Sequence, residues 1–258
     1  MTEIQFPDDN EERFPADEGT VLPPAEEIPA SPVFRRSRLS YLTLFFLLLL
    51  WPAVSLLTTG DPAEALKILS ASPIFFIYLP TMVIQWMVFL LVFLTTYREG
   101  TGLAGIGFGR FRLLYLFWGI AFLLVSNLLL SLISLLLTAL GLTIPGELEL
   151  ILPKTGAERI IWAFLAATAA ICEESAFRGY LITRIKILSG LKSWVIPIIL
   201  SSLAFGSGHA YQGVGGFILI SIYGSMFALL FLKTKSLWPV VIAHFFQDFS
   251  ALFFPFQK

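Results

Sequence analysis

Residues 172–181 read Cys172-Glu173-Glu174-Ser175-Ala176-Phe177-Arg178-Gly179-Tyr180-Leu181 and interrupt an apolar run that extends from Ile160 to Leu188. Three charges fall within six residues there, in a chain that is 57% hydrophobic and only 14% charged. A charge at the centre of a membrane helix costs at least about 2.5–3.5 kcal/mol on insertion scales, so such residues face a bundle interior or a wet cavity and have partners. On a helix, Glu174 and Arg178 stand at i, i+4 with the acid N-terminal, the better orientation for an ion pair. Glu173 projects about 100° round the helix from Glu174 and need not share that partner. The stretch reads as a structural pair plus one spare carboxylate.

The remaining composition sets the class. An ordinary soluble domain is about 45–50% apolar and about 25% charged; this chain of 258 residues has a mean hydropathy of +0.82 and reads as a polytopic membrane protein. Its single cysteine, Cys172, excludes an internal disulfide framework. Nine of the 18 acidic residues lie in the first 27 positions, against one base, Arg13, and four prolines accompany them, with Pro29 just beyond. Residues 1–34 therefore read as an acidic, Pro-rich, disordered tail, and a cleaved signal peptide is not expected.

A membrane span needs about 20 mostly apolar residues. Seven segments qualify: 39–58, 73–95, 113–140, 160–187, 194–211, 214–232 and 237–255. The fold class is thus all-α, a transmembrane helix bundle of about seven spans. With the N-terminus cytoplasmic, eleven basic residues flank the cytoplasmic ends (Arg184 among them) against Lys67, Lys154, Arg159 and Lys258 on the other side. The positive-inside rule gives N-in, C-out. Gly100-Thr101-Gly102-Leu103-Ala104-Gly105 matches a dinucleotide fingerprint by letters. It follows a membrane span rather than a strand, and no acid lies about 20 residues on; it reads as a flexible cytoplasmic loop.

A census of polar residues narrows the chemistry. Outside the tail, Asp61, Glu64, Glu99, Glu147, Glu149 and Glu158 fall in loops or at span edges, leaving Glu173, Glu174 and Asp248 inside the membrane with the only two histidines, His209 and His244. Each alone has a bland reading: a membrane histidine can simply bond a neighbouring carbonyl, and Phe205, one turn before His209, can be packing. Asp248 lies one turn after His244, spaced for a local pair or for orienting the imidazole. At 1.5 Å per residue, Glu173 and His209 lie roughly 20–25 Å from the cytoplasmic ends of their spans, and His244 and Asp248 roughly 10–17 Å. That mismatch leaves open whether the residues meet.

Such a set suits water activation. A carboxylate beside apolar walls can act as a general base near neutral pH, and histidines can donate to a developing oxyanion. Two histidines and a carboxylate (His209, His244 and Asp248) are also a candidate set for Zn2+ or another divalent metal. No His-Glu-x-x-His and no Gly-x-Ser-x-Gly occurs, so neither the common zinc helix nor a Ser175 nucleophile is indicated.

Glu173-Glu174-x-x-Phe177-Arg178-Gly179-x-Leu181 resembles the first motif of the CAAX-protease and bacteriocin-processing (CPBP, or Abi) intramembrane proteases. Phe205-x-x-x-His209 resembles the second motif and His244-x-x-x-Asp248 the third, in family order. The resemblance covers about residues 155–255. It implies a domain plan of tail (1–34), N-terminal spans (35–154) and a protease core (155–258) holding the last four spans. It further implies that Glu173 activates water with His209, that Glu174 supports it, that Arg178 anchors the pair, and that His244 and Asp248 complete a polar chamber as oxyanion or metal contacts. One departure stands out: prenyl-protein proteases of this family usually carry Asn where this chain has Asp248, which favours peptide processing or bacteriocin immunity over a CAAX prenyl-protein substrate. The expected partners are a peptide or lipidated-protein substrate and the lipid bilayer, with no nucleic acid, in a bacterial cell membrane. Two rivals stay open: a non-catalytic immunity or scaffold protein, and a proton-coupled transporter.

Overall fold

The computed structural model describes residues 34–144 and 146–253; the acidic tail, Lys258 and the last residues of the seventh predicted segment lie outside them. Among the described residues every regular element is helical. The chain forms α1 (Arg38–Thr58), α2 (Pro62–Leu69), α3 (Ile74–Arg98), α4 (Leu114–Ala139), α5 (Gly156–Ser189), α6 (Val195–Ser207), α7 (Gly213–Thr234) and α8 (Trp238–Phe249). Each of the seven predicted segments is thus a helix, and the protein is an integral membrane protein. Two of the seven are shorter than expected. α6 has 13 residues and α8 has 12, or about 20 Å of rise against a hydrocarbon core of about 30 Å. Five helices are long and apolar enough to cross a membrane by themselves.

Local chemistry places the ends. Ser37 and Ser40 form a reciprocal capping box at the start of α1, and Thr155 with Glu158 does the same for α5, satisfying backbone N–H groups that the first turn leaves unpaired. The short helix α2 is capped by Asp61, which accepts from the amides of Ala63 and Glu64. Eight residues are too few for a span, so hydropathy alone does not reveal α2. It packs on the 3-10 turn Gly146–Ile151 and on the turn Ala210–Gln212, with Leu66 buried.

The layers follow from burial. In their most apolar windows α1, α3 and α4 are 11%, 17% and 11% buried, whereas α5 and α7 are 56% and 50% buried. α5 and α7 are the inner helices, and the outer ones turn leucine and phenylalanine to lipid. Without a hydrophobic force between helices in lipid, small residues and hydroxyl bonds set the close approaches. Thr43 and Thr95 join α1 to α3 at 2.8 Å, and Ser201 donates to the Phe177 carbonyl across α6 and α5 at 2.7 Å. Gly206 lets α6 lie directly on α7, where a Cβ would fall 2.9 Å from the Phe217 carbonyl oxygen.

Two sequence readings are corrected here. Glu99 does cap the end of its span as read, but it is a buried acid far from the last 90 residues, and it pairs with Arg184, which was counted as a cytoplasmic flank and is buried too. Arg184 donates to Glu99 Oε2 through Nε at 2.9 Å and Nη2 at 2.8 Å. It also donates to the Gly105 carbonyl and to Thr101 Oγ1. The Gly100–Gly105 segment is therefore a cradle around a buried guanidinium rather than a loose loop. A planar fork of donors needs several fixed acceptors, and this folded loop provides them. Without Arg184 the flank count stands at ten to four, so the sign of the bias is unchanged.

Gly179 sets the depth of α8. A Cβ there would lie 2.6 Å from the Ile106 carbonyl oxygen and 2.9 Å from Leu237 Cδ1. Leu237 is fully buried, and its amide donates to the Gly107 carbonyl at 3.0 Å. Gly179→Ala is expected to destabilise the protein by about 1–3 kcal/mol, as overpacking against backbone does. A thermal unfolding midpoint in detergent equal to wild type would contradict that close contact.

Candidate active site

α5 changes register within the motif. It is α-helical to Glu173 and π-helical from Glu174 to Leu181, and every residue of the π segment is buried. Such segments recur at functional sites because the wider turn re-aims side chains. The two adjacent glutamates sit on either side of that change, and they meet different neighbours.

Glu174 is fully buried. Its Oε1 accepts from Arg178 Nη1 at 3.0 Å and lies 2.7 Å from His244 Nδ1. The i, i+4 pair expected from the sequence is therefore present. Arg178 is 1% exposed, and its guanidinium lies over the Phe205 ring at 3.9 Å and near the Phe227 ring at 5.1 Å. Aromatic faces beside a desolvated cation supply attraction that a second carboxylate would otherwise provide.

Glu173 points toward α3. Its Oε1 accepts from Gln85 Nε2 at 2.6 Å. Its Oε2 has no hydrogen-bond partner among the described residues and lies 3.9 Å from His244 Nε2. The Glu173 side chain is 18% exposed, against 0% for Glu174. Each glutamate has its Oε1 bonded and a shielded Oε2 without a hydrogen-bond partner among the described residues; they differ in that the Glu173 side chain is partly exposed and the Glu174 side chain is enclosed in the core.

His244 joins the two. Besides Nδ1 on Glu174, its Nε2 lies 3.4 Å from Asp248 Oδ2, and the Phe227 ring stacks on the imidazole at 5.5 Å. The depth mismatch of the sequence reading disappears because the Gly179–Leu237 contact matches levels on antiparallel helices. From that contact Glu174 is five residues along α5 and His244 seven along α8, about 7.5 and 10.5 Å at helical rise. The indole N–H of Trp162 donates to the Asp248 carbonyl at 2.8 Å and holds the end of α8 to α5.

His209 departs from expectation. It lies beyond the end of α6, in the turn before the 3-10 residues Ala210–Gln212, rather than inside a span. Gly208 closes α6 there, and the chain reverses into α7. The His209 Nδ1 bonds the Phe205 carbonyl at 3.1 Å, so Nδ1 carries the proton and Nε2 is left free. Its ring lies 5.0 Å from Phe205, whose ring lies 6.3 Å from His244. Phe205 is the shared wall between the two histidines. His209 makes no ion pair with a carboxylate among the described residues.

The metal set read from sequence can be tested on this geometry. His244 and Asp248 are adjacent, but His209 does not join them, and among the described residues no three His, Cys, Asp or Glu side chains converge as ligands. Sequence reasoning overlooked Gln85 because its census counted acids and histidines only; a lone amide within an apolar span was the available signal. It also overlooked Phe227 and Trp162, which resemble ordinary packing, and Gly224, where a Cβ would meet Arg178 Nη2 and Phe205 Cδ1 at 3.2 Å.

Comparison with known proteins gives one result. Residues 155–250 match the family model described as type II CAAX prenyl endopeptidase Rce1-like. The match begins at the Thr155 cap of α5 and ends just after α8, so it takes in the four helices that carry the site and leaves α1 to α4 outside. No curated protein and no solved structure matches the chain. Such proteases act on a peptide or prenylated protein at the membrane. By its motifs and by this match, the segment 155–250 is similar to the CAAX-protease (CPBP) family of intramembrane proteases.

Proposed function

We propose that the chain is an intramembrane endopeptidase that hydrolyses a peptide bond in a membrane-associated or amphipathic peptide, with water activated by Glu173 and His209. The observation that carries this reading is the asymmetry of the glutamates: Glu174 is fully buried with its Oε1 tied to Arg178 and His244, while the Glu173 side chain is partly exposed and its Oε1 is held by the neutral amide of Gln85. A carboxylate held at one oxygen and reachable from outside the core is the arrangement a general base requires. Water adds to the substrate carbonyl carbon as Glu173 takes its proton. The C–N bond then breaks, and the proton passes to the leaving amine. His209 Nε2 is the free nitrogen available to hold the water or the developing oxyanion. Glu174, Arg178, His244 and Asp248 keep the polar wall in place. Asp248, where the prenyl-protein proteases carry Asn, directs the reading toward peptides without a prenyl requirement.

The test is cleavage of a membrane-peptide library by purified wild type and Glu173→Gln, each with and without a chelator. Glu173→Gln is isosteric and is expected to lower turnover by about 10²–10⁴-fold, the usual contribution of a positioned base, at normal folded yield. Full activity in that variant would refute the assignment. Loss of wild-type activity under the chelator would bring back the zinc set of His209, His244 and Asp248. A wild type that cleaves nothing would favour the immunity or scaffold reading.

A further inference from the structure

We infer that Gln85 is a positioning residue for Glu173, supplied by a helix outside the matched segment. This rests on Glu173 being the base.

In α3, Gln85 is the one side-chain amide, and no charge precedes Arg98. A polar group in lipid needs an inward partner, and Gln85 has one. Tyr78, Gln85, Val92 and Glu99 recur every seven residues, and all four are buried. Seven residues are two helical turns, so they share a face. Both ends of that face are bonded. The Tyr78 hydroxyl donates to the Ile151 carbonyl at 2.6 Å, and Glu99 holds Arg184. These anchors fix the rotation and depth of α3 and thereby the place of the Gln85 amide. Its outer face, with Met82, Val83, Trp86 and Met87, is an apolar groove that offers the amide no alternative.

The bond at 2.6 Å then selects which Glu173 oxygen works. The carboxylate can only accept, so Gln85 presents its NH2 to Oε1. Oε2 is left toward His244 Nε2. Gln85 is 8% exposed, and its own Oε1 has no partner among the described residues, so the bond to Glu173 is the one that holds its side chain.

Gln85→Met keeps the length and removes the donor. Assayed in the full chain on a peptide cleaved by wild type, it is expected to lower kcat by about 100-fold, the effect of a catalytic group displaced by about 1 Å, with KM unchanged. Val92→Ala, two turns along the same face, is expected to lower the unfolding midpoint without lowering kcat. If Gln85→Met yields no folded protein, Gln85→Leu replaces it: its side chain has no donor for Glu173, and the same loss is expected. Independently of turnover, the carboxylate stretch assigned to Glu173 by subtraction of the Glu173→Gln infrared spectrum should shift in Gln85→Met. Wild-type kcat, an effect on KM alone, or an unshifted carboxylate band would overturn the role of Gln85 while leaving Glu173 as base. Full activity in Glu173→Gln would overturn both.

Discussion

Arg184→Ala is expected to cost about 3–5 kcal/mol of stability, the loss typical when one partner of a buried ion pair is removed, and to leave little folded protein. Glu99 would stay fully buried with only the Tyr180 hydroxyl, at 3.4 Å, facing its carboxylate. The effect also spreads along the chain. Arg184 holds the Gly105 carbonyl and Thr101, and the Glu99 carbonyl accepts from the Arg35 amide, so one guanidinium connects α5, the 100–105 segment and the approach to α1. Folded yield by size-exclusion chromatography and the unfolding midpoint would measure this. The double variant Arg184→Met with Glu99→Leu should regain part of the loss, since apolar replacement of both partners removes the stranded charge. A single variant as stable as wild type would show that the pair carries no stability.

Arg178→Ala is the second large effect, again about 3–5 kcal/mol for a broken buried pair, and here activity should fall with stability. Glu174 keeps His244 at 2.7 Å, which offsets part of the stranding. The Phe205 ring, however, loses the guanidinium packed 3.9 Å above it, and Phe205 both holds His209 Nδ1 and borders His244. Arg178→Lys keeps the charge but lacks the planar face, so it should recover stability more than turnover. Normal yield together with normal cleavage in Arg178→Ala would refute its anchoring role.

Much of the candidate site was legible because charge is scarce. In a chain this apolar, each intramembrane acid or histidine carries a cost that packing alone does not explain. Glu173, Glu174, Arg178, His244 and Asp248 therefore stood out, and four of them now lie around one imidazole or its partners. Polar residues of lower cost went unnoticed: Gln85 bears no charge, and Glu99 looked like an ordinary helix end.

The sequence by itself determined what is local. Apolar runs of span length set the helices, and backbone geometry alone makes Glu174–Arg178, Phe205–His209 and His244–Asp248 neighbours at i, i+4. The tertiary structure decided everything that joins one helix to another: Gln85 to Glu173, Glu174 to His244, and Glu99 to Arg184. Those partners are 70 to 88 residues apart. Their meeting depends on each helix's rotation and depth, which hydropathy does not encode. Contacts such as Gly179 on Ile106 and Leu237 on Gly107 set both, because close-packed backbones admit one register where a lipid-facing surface admits many.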